Sequence, residues 1–265
     1  MTEHPRSGYD ALELIGELYD AVPAYNARND VAFYVEESRL AGGETLEIGC
    51  GTGRVLLPIA RTGMRITGID ESPRMLDRCR LRLEQEPESA RACASLRQAD
   101  MRNFHLGKTF ALATIPFRPF QHLLRVDDQT AALHAIHRHL DPGGRLVFDV
   151  FNPDMRLLVK DRTAETEDTP ETKLPDGRSF RRASRVIEVH PARQVSDVEL
   201  IYYLTAGASE EVRLVHAFSM RWYWRYEVEH LLARCGFDLV MIYGNFDRSP
   251  LNEGSPEMIF VAERH

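Results

Sequence analysis

The 265-residue chain lacks any apolar run approaching the roughly 18 residues that a membrane-crossing helix requires, so no helical span is expected. Cysteine is scarce. Cys50, Cys79, Cys93 and Cys235 show none of the paired spacing of a zinc or redox centre, and no metal is expected. Basic excess is also missing: 33 Lys and Arg against 40 Asp and Glu leave a formal charge of -7, which argues against a broad face for nucleic acid. The local cluster Arg178, Arg181, Arg182 and Arg185 reads as the solvated side of a strand. Nothing before Tyr9 resembles a signal peptide, and a cytoplasmic location is expected. There is no internal repeat and no low-complexity tract. With 43% hydrophobic and 28% charged residues, the chain has material for one substantial core with one elaboration.

What is present concentrates in LEIGCGTGR, Leu46 to Arg54. An apolar strand ends at Ile48, and Gly49, Gly51 and Gly53 form a loop that lets a ligand approach the backbone. A helix expected from Arg54 to Ala60 begins there with its free amides facing the loop. A second strand, Arg65 to Ile69, ends in Asp70, where a carboxylate can accept both hydroxyl protons of a ribose. A dinucleotide fingerprint wants a glycine where this chain has Arg54, so the loop fits a ligand without a pyrophosphate. Gln98 to Met101 end a third strand. There Asp100 is placed to accept an adenine amino group while the Met101 amide donates to the ring.

The glycine loop, Asp70 in GIDESPRML, Asp100 in QADMRNF and the LDPGGRLVFDVFNP stretch from Leu140 to Pro153 together resemble the class I S-adenosylmethionine-dependent methyltransferases. The resemblance spans residues 10 to 153 and 226 to 265. The N-terminal Tyr and Arg pattern and an insertion bring it nearest the small-molecule branch that includes glycine N-methyltransferase and the dimethyltransferases of nucleotide-linked amino sugars. It implies S-adenosylmethionine as cofactor, S-adenosylhomocysteine as product, and a small-molecule acceptor methylated on nitrogen or oxygen. It also implies that an arginine in the position of Arg28, after Tyr25, pairs with the cofactor carboxylate, the alternative being a solvated arginine on a helix face. Tyr19 and Tyr25 either close over the sulfonium or anchor their helix, and either role makes this segment a lid. A non-catalytic S-adenosylmethionine sensor and a protein methyltransferase stand as alternatives. A nicotinamide oxidoreductase is disfavoured by Arg54.

The rest of the chain reads as a doubly wound, mostly parallel seven-stranded α/β sheet. Two helices precede the first strand, with Leu12, Ile15 and Leu18, then Val31, Phe33 and Val35, at helical spacing across Pro23. Ser72 and Pro73 open a helix to about Leu83. Further elements are a strand Phe110–Ile115, a helix Thr130–Leu140, a turn Asp141–Gly144 and a strand Arg145–Val150. A helix Tyr226–Cys235, closed by Gly236, precedes strands Leu239–Tyr243 and Met258–Ala262. The resemblance implies that the last strand is antiparallel.

Residues 154 to 225 break this rhythm. Extended runs Ser179–Val189, Val195–Leu204 and Val212–Trp224, with turns at 175–177, 191–192 and 206–209, form a small antiparallel sheet. We expect it to act as an acceptor cap or as the dimerisation sheet of a homodimer. The acidic, Thr-rich stretch Thr163–Thr172 reads as a mobile loop. The domains are therefore expected as 1–153 with 226–265, and 154–225.

Other candidates complete the site. Glu47 is placed to hold loop amides or the ligand's ammonium group; Cys50, Glu71, Met75 and Ile115 are expected beside the cofactor. Arg118 is a candidate for holding an anionic acceptor and His122 for a general base, since imidazole titrates near neutrality. Phe117, Asn152, Tyr202, Trp222 and Trp224 are expected around the acceptor, with strand alternation sending the two tryptophans to one face and Tyr223 to the other. The stretch after Ile115 lacks the Asn or Asp, Pro, Pro, aromatic cluster of adenine methylases. His134, His137 and His139 share helical spacing that requires no metal.

Overall fold

A computed structural model describes residues 14–205 and 211–265, so the stretch around Tyr9 and Leu12 and the expected 206–209 turn lie outside the described residues. In chain order come helices α1 (Ile15–Ala21), α2 (Pro23–Asn26) and α3 (Asp30–Ala41), then strand β1 (Thr45–Ile48), α4 (Leu56–Arg61), β2 (Ile66–Asp70), α5 (Pro73–Glu84) and α6 (Glu88–Arg91). Strands β3 (Ala94–Gln98) and β4 (Phe110–Ile115) follow, then α7 (Val126–Arg138), β5 (Leu140–Phe151) and α8 (Met155–Leu158). The inserted strands are β6 (Thr166–Lys173), β7 (Ser179–His190), β8 (Val195–Thr205) and β9 (Val212–Arg221); α9 (Arg225–Arg234), β10 (Phe237–Tyr243) and β11 (Glu257–Arg264) end the series. The chain divides into two compact units, one of residues 14–28 with 154–221 and one of residues 29–153 with 222–265.

The larger unit is a seven-stranded sheet in the order β10-β11-β5-β4-β1-β2-β3. Strands β1 to β5 run parallel, and β11 is antiparallel to both neighbours, as the resemblance implies. Alternation along the strands fills both faces with apolar side chains. Leu146, Phe148 and Val150 of β5 join α7 and α9 in one core; Val147, with Ile259 and Val261 of β11, joins α3, α4 and α5 in the other. This double layer makes the sheet ends the natural place for ligands.

Local chemistry sets the helix starts. The Ser72 hydroxyl accepts the Met75 amide at 3.2 Å and Pro73 fills the first helical position, so α5 begins as expected. The helix after the glycine loop begins at Leu56, two residues later than expected, because Gly51 (φ 54°) and Gly53 (φ 83°) hold left-handed backbone. Three described helices precede β1 where two were expected, because the chain breaks at Val22–Pro23 and again at residues 27–29.

The smaller unit carries the antiparallel sheet β6-β7-β8-β9. The stretch expected as a mobile loop is in fact the edge strand β6, paired from Thr166↔Ser184 to Lys173↔Ser179. Two register shifts erase its alternation, and the charges that read as loop protect an exposed edge. Arg182 also departs from expectation. It lies on the inner side with Phe180 and Tyr202, only 4% exposed, bonded through Nε to Asp168 (2.7 Å) and through Nη1 to the Tyr25 hydroxyl (2.6 Å). A buried guanidinium requires such partners. Arg178 pairs with Asp176 and Glu17, Arg181 with Glu211 and Arg185 with Glu199, so the basic cluster is internally neutralised.

Candidate active site

The site is built at the carboxyl ends of β1, β2 and β4. Behind Ile48 the chain turns through Gly49, whose amide donates to the Ile69 carbonyl at 2.8 Å. Gly49 has φ 69°, and an added Cβ would stand 2.7 Å from Pro119, so only glycine lets the loop touch the segment after β4. Gly51 is open by comparison. Its amide donates to Asp70 Oδ2 at 2.8 Å, and Ser72 donates to Asp70 Oδ1 at 2.9 Å. The Asp70 carboxylate thus ties the glycine loop to the start of α5, and an ionised carboxylate has about four acceptor positions in all.

Glu47 is 2% exposed, and its Oε2 has no hydrogen-bond partner. Burial holds its pKa well above the usual carboxylate range; Arg54 opposes this and Asp30 and Asp70 reinforce it. Arg54 turns away from the loop into a two-pronged pair with buried Asp30, Nη1 to Oδ1 at 2.7 Å and Nη2 to Oδ2 at 2.6 Å. Its guanidinium also lies 4.9 Å from the Phe117 ring centroid.

At the third strand end, Asp100 is gripped by Arg102 through Nε and Nη2 and by the Arg102 amide. The side-chain bond to Arg102 is the main cause holding the Asp100 carboxyl below its ordinary pKa. Met101 is half-buried against the core; Cys50, Met75 and Ile115 are buried and Glu71 is exposed. Glycine loop, Asp70, Met75 and Glu47 come together at the adjacent ends of β1 and β2, and Asp100 ends the neighbouring β3.

After β4, Phe117 (φ 65°) and Arg118 (φ 74°) are consecutive left-handed residues. The Phe117 amide donates to Asp149 Oδ1 at 2.8 Å, and the Tyr34 hydroxyl donates to the same oxygen at 2.6 Å. Arg118, expected to await an anionic acceptor, gives Nη2 to Glu257 at 2.6 Å and lies over Phe151. His122 closes the following short helical turn and is half-buried. Asn152 gives its side-chain amide to the Ser255 carbonyl at 2.9 Å.

The aromatic run departs from its expected alternation because β9 stops at Arg221. Trp222 and Tyr223 are both buried, the Tyr223 hydroxyl donating to the Leu123 carbonyl at 3.1 Å, while Trp224 is 42% exposed at the start of α9. Tyr19, Tyr25, Arg28 and Tyr202 belong to the other unit. There the Tyr19 and Tyr25 rings lie 4.9 Å apart and Tyr25 meets Arg182; Arg28 is half-buried. Burial, reinforced by Tyr25 and opposed by Arg182, drives the Tyr202 hydroxyl pKa upward.

Sequence reasoning missed Asp30, Tyr34 and Asp149, the buried polar groups beneath the loop and the β4 turn. Asp149 carried a signal: an acid inside the apolar run LVFDVF demands a partner. His139 is committed structurally, stacked on Phe104 and accepting the Leu106 amide at 3.0 Å. Among the described residues, Glu188, His190 and Asp197 lie close enough to share an ion, yet His190 Nε2 already meets Asp197 at 2.8 Å. A cavity of about 360 Å³, lined by Leu40, Asp141, Arg145 and Glu263 among others, opens at the opposite, amino edge of the sheet.

Residues 45–144 match the family model described as a methyltransferase domain. The chain is 27% identical over 239 residues to a cypemycin N-terminal methyltransferase of Streptomyces sp, covering 88% of each chain. It is 28% identical over 227 residues to the dTDP-3-amino-3,6-dideoxy-alpha-D-glucopyranose N,N-dimethyltransferase of Streptomyces fradiae, covering 79% of this chain and 84% of the relative. Among solved structures, an S-adenosylmethionine-bound amino pentose methyltransferase from Micromonospora echinaspora, involved in calicheamicin biosynthesis, superposes with a TM-score of 0.68 at 26% identity. That match covers 94% of this chain and 97% of the other.

Proposed function

We propose that this chain, which belongs to the S-adenosylmethionine-dependent methyltransferases, transfers the methyl group to an amine nitrogen of a small molecule, with an amino sugar as the leading class of acceptor. The observation that carries the cofactor reading is Asp70, a carboxylate fixed by the Gly51 and Ser72 amides at the carboxyl edge of the sheet. The preference for nitrogen rests on two relatives named as N,N-dimethyltransferases of dTDP-linked amino sugars and one named as an N-terminal methyltransferase, against one named as an O-methyltransferase.

The residues present fit the cofactor. In this reading Gly49, Gly51 and Gly53 keep the loop free of side chains, Asp70 accepts the ribose hydroxyls, and Asp100 and Met101 face the adenine. Glu47 Oε2, buried without a partner, suits the cofactor's ammonium, which would return the carboxyl to its ionised form. Bound S-adenosylmethionine supplies an electrophilic methyl group on a sulfonium. The protein's share is alignment and exclusion of water, because an amine that arrives deprotonated needs no activation. For an acceptor that arrives as ammonium, His122 takes the proton.

Purified protein incubated with S-adenosylmethionine and a dTDP-linked 3-amino sugar should give S-adenosylhomocysteine and a product heavier by one or two methyl groups. No turnover with amino sugars, together with methylation of a peptide N-terminus, would move the acceptor to the second class that the relatives represent. The four thiols are free, which supports a reducing compartment. A homodimer through the inserted sheet, whose outer strands β6 and β9 each keep one edge unpaired among the described residues, is to be read from mass in solution.

A further inference from the structure

Two adjoining non-glycine residues in left-handed backbone are costly. Phe117 (φ 65°) and Arg118 (φ 74°) hold such backbone side by side, and such a turn persists only where its surroundings over-determine it. The surroundings do so here from three sides. Asp149, already holding the Tyr34 hydroxyl, fixes the Phe117 amide; Glu257 fixes the Arg118 guanidinium; and Arg54 lies against the Phe117 ring. The last contact differs from the others, because Arg54 directly follows Gly53 and is itself locked by both oxygens of Asp30, which is 0% exposed. The glycine loop and the turn are thereby joined through the Arg54 side chain. Pro119, packed against Gly49, is a second tie between the same two segments.

We propose that Arg54 and Phe117 are a positioning pair for methyl transfer: the guanidinium anchored on Asp30 holds the Phe117 ring, and this joint keeps the glycine loop in its cofactor-binding shape. A cation resting on an aromatic face binds more strongly the less water reaches it, and Arg54 keeps only 11% of its side-chain surface in solvent. Neither residue needs to touch the cofactor. The inference rests on the proposed S-adenosylmethionine chemistry, and its test needs no methyl acceptor.

The test is calorimetric titration of S-adenosylhomocysteine into the full chain and into Phe117→Leu and Phe117→Tyr, with the unfolding temperature of each. Phe117→Leu keeps apolar bulk but offers no face to the guanidinium, and its affinity should fall about tenfold. Phe117→Tyr keeps the face and should bind within about twofold of the parent chain. Both should unfold within a few degrees of the parent. Equal binding by all three proteins overturns the proposal, and so does an affinity that falls only as far as the unfolding temperature falls. Failure of the unaltered chain to bind S-adenosylhomocysteine would instead remove the functional reading on which the proposal stands.

Discussion

Removing the Asp70 carboxylate should weaken the cofactor site in two separable ways. Asp70→Ala takes away the acceptor for the Gly51 and Ser72 amides, at 2.8 and 2.9 Å, and with it the contacts assigned to the ribose hydroxyls. Hydrogen bonds to an ionised group are worth about 1.5 to 3 kcal/mol each, but the half-buried setting lets water replace part of that loss. The expected net effect on S-adenosylhomocysteine affinity is about 1 to 3 kcal/mol, or about 5-fold to 150-fold. Asp70→Asn keeps one oxygen to accept one amide and should lie between Ala and the parent chain. Calorimetry measures both, and far-ultraviolet circular dichroism checks that the sheet is intact. Folded Ala and Asn variants that both bind within twofold of the parent chain would refute the assignment of Asp70 as the anchor.

Three further outcomes follow from the packing and charge described above. Glu47 keeps in the folded chain a proton that the unfolded chain releases above about pH 4.5, so its stabilising contribution is full below that pH and declines as pH rises toward the folded pKa. The unfolding temperature of Glu47→Gln should therefore gain on that of the parent as pH rises above about 4.5, and a constant difference would contradict the raised pKa. Phe148→Ala, at a fully buried ring stacked 5.3 Å from Phe260, should cost about 3 to 5 kcal/mol in urea titration. Arg182→Met strips Asp168 and Tyr25 of a partner. It should cost about 2 to 4 kcal/mol and speed proteolytic cutting within residues 14–28, both measurable on one preparation.

The parts of the fold visible in the sequence were those written in contiguous residues. The glycine loop, the Ser72–Pro73 helix start and β4 carry their own local chemistry, and the structure places them where that chemistry points. Strand β6 was hidden because its two bulges remove the alternation that identifies a strand and its Thr and Glu residues read as loop. Trp222 to Trp224 escape strand alternation because the strand ends at Arg221. Nor does local pattern show which distant groups will meet. Tyr34 and Asp149 stand 115 residues apart, and Arg54 finds Asp30 across 24. Each of these polar residues is legible as needing a partner, but only the folded sheet supplies its identity.

The placement of β11 bears on assembly. The strand that leaves the ribosome after all the others of its sheet is seated between β5 and β10 rather than at a margin. Until it arrives, β10 has no partner strand among the described residues, only the bridge from Tyr243 to Pro250, and β5 exposes a naked flank. A nascent chain halted short of Glu257 would thus present two unsatisfied edges at once, a form prone to sticking to its own kind.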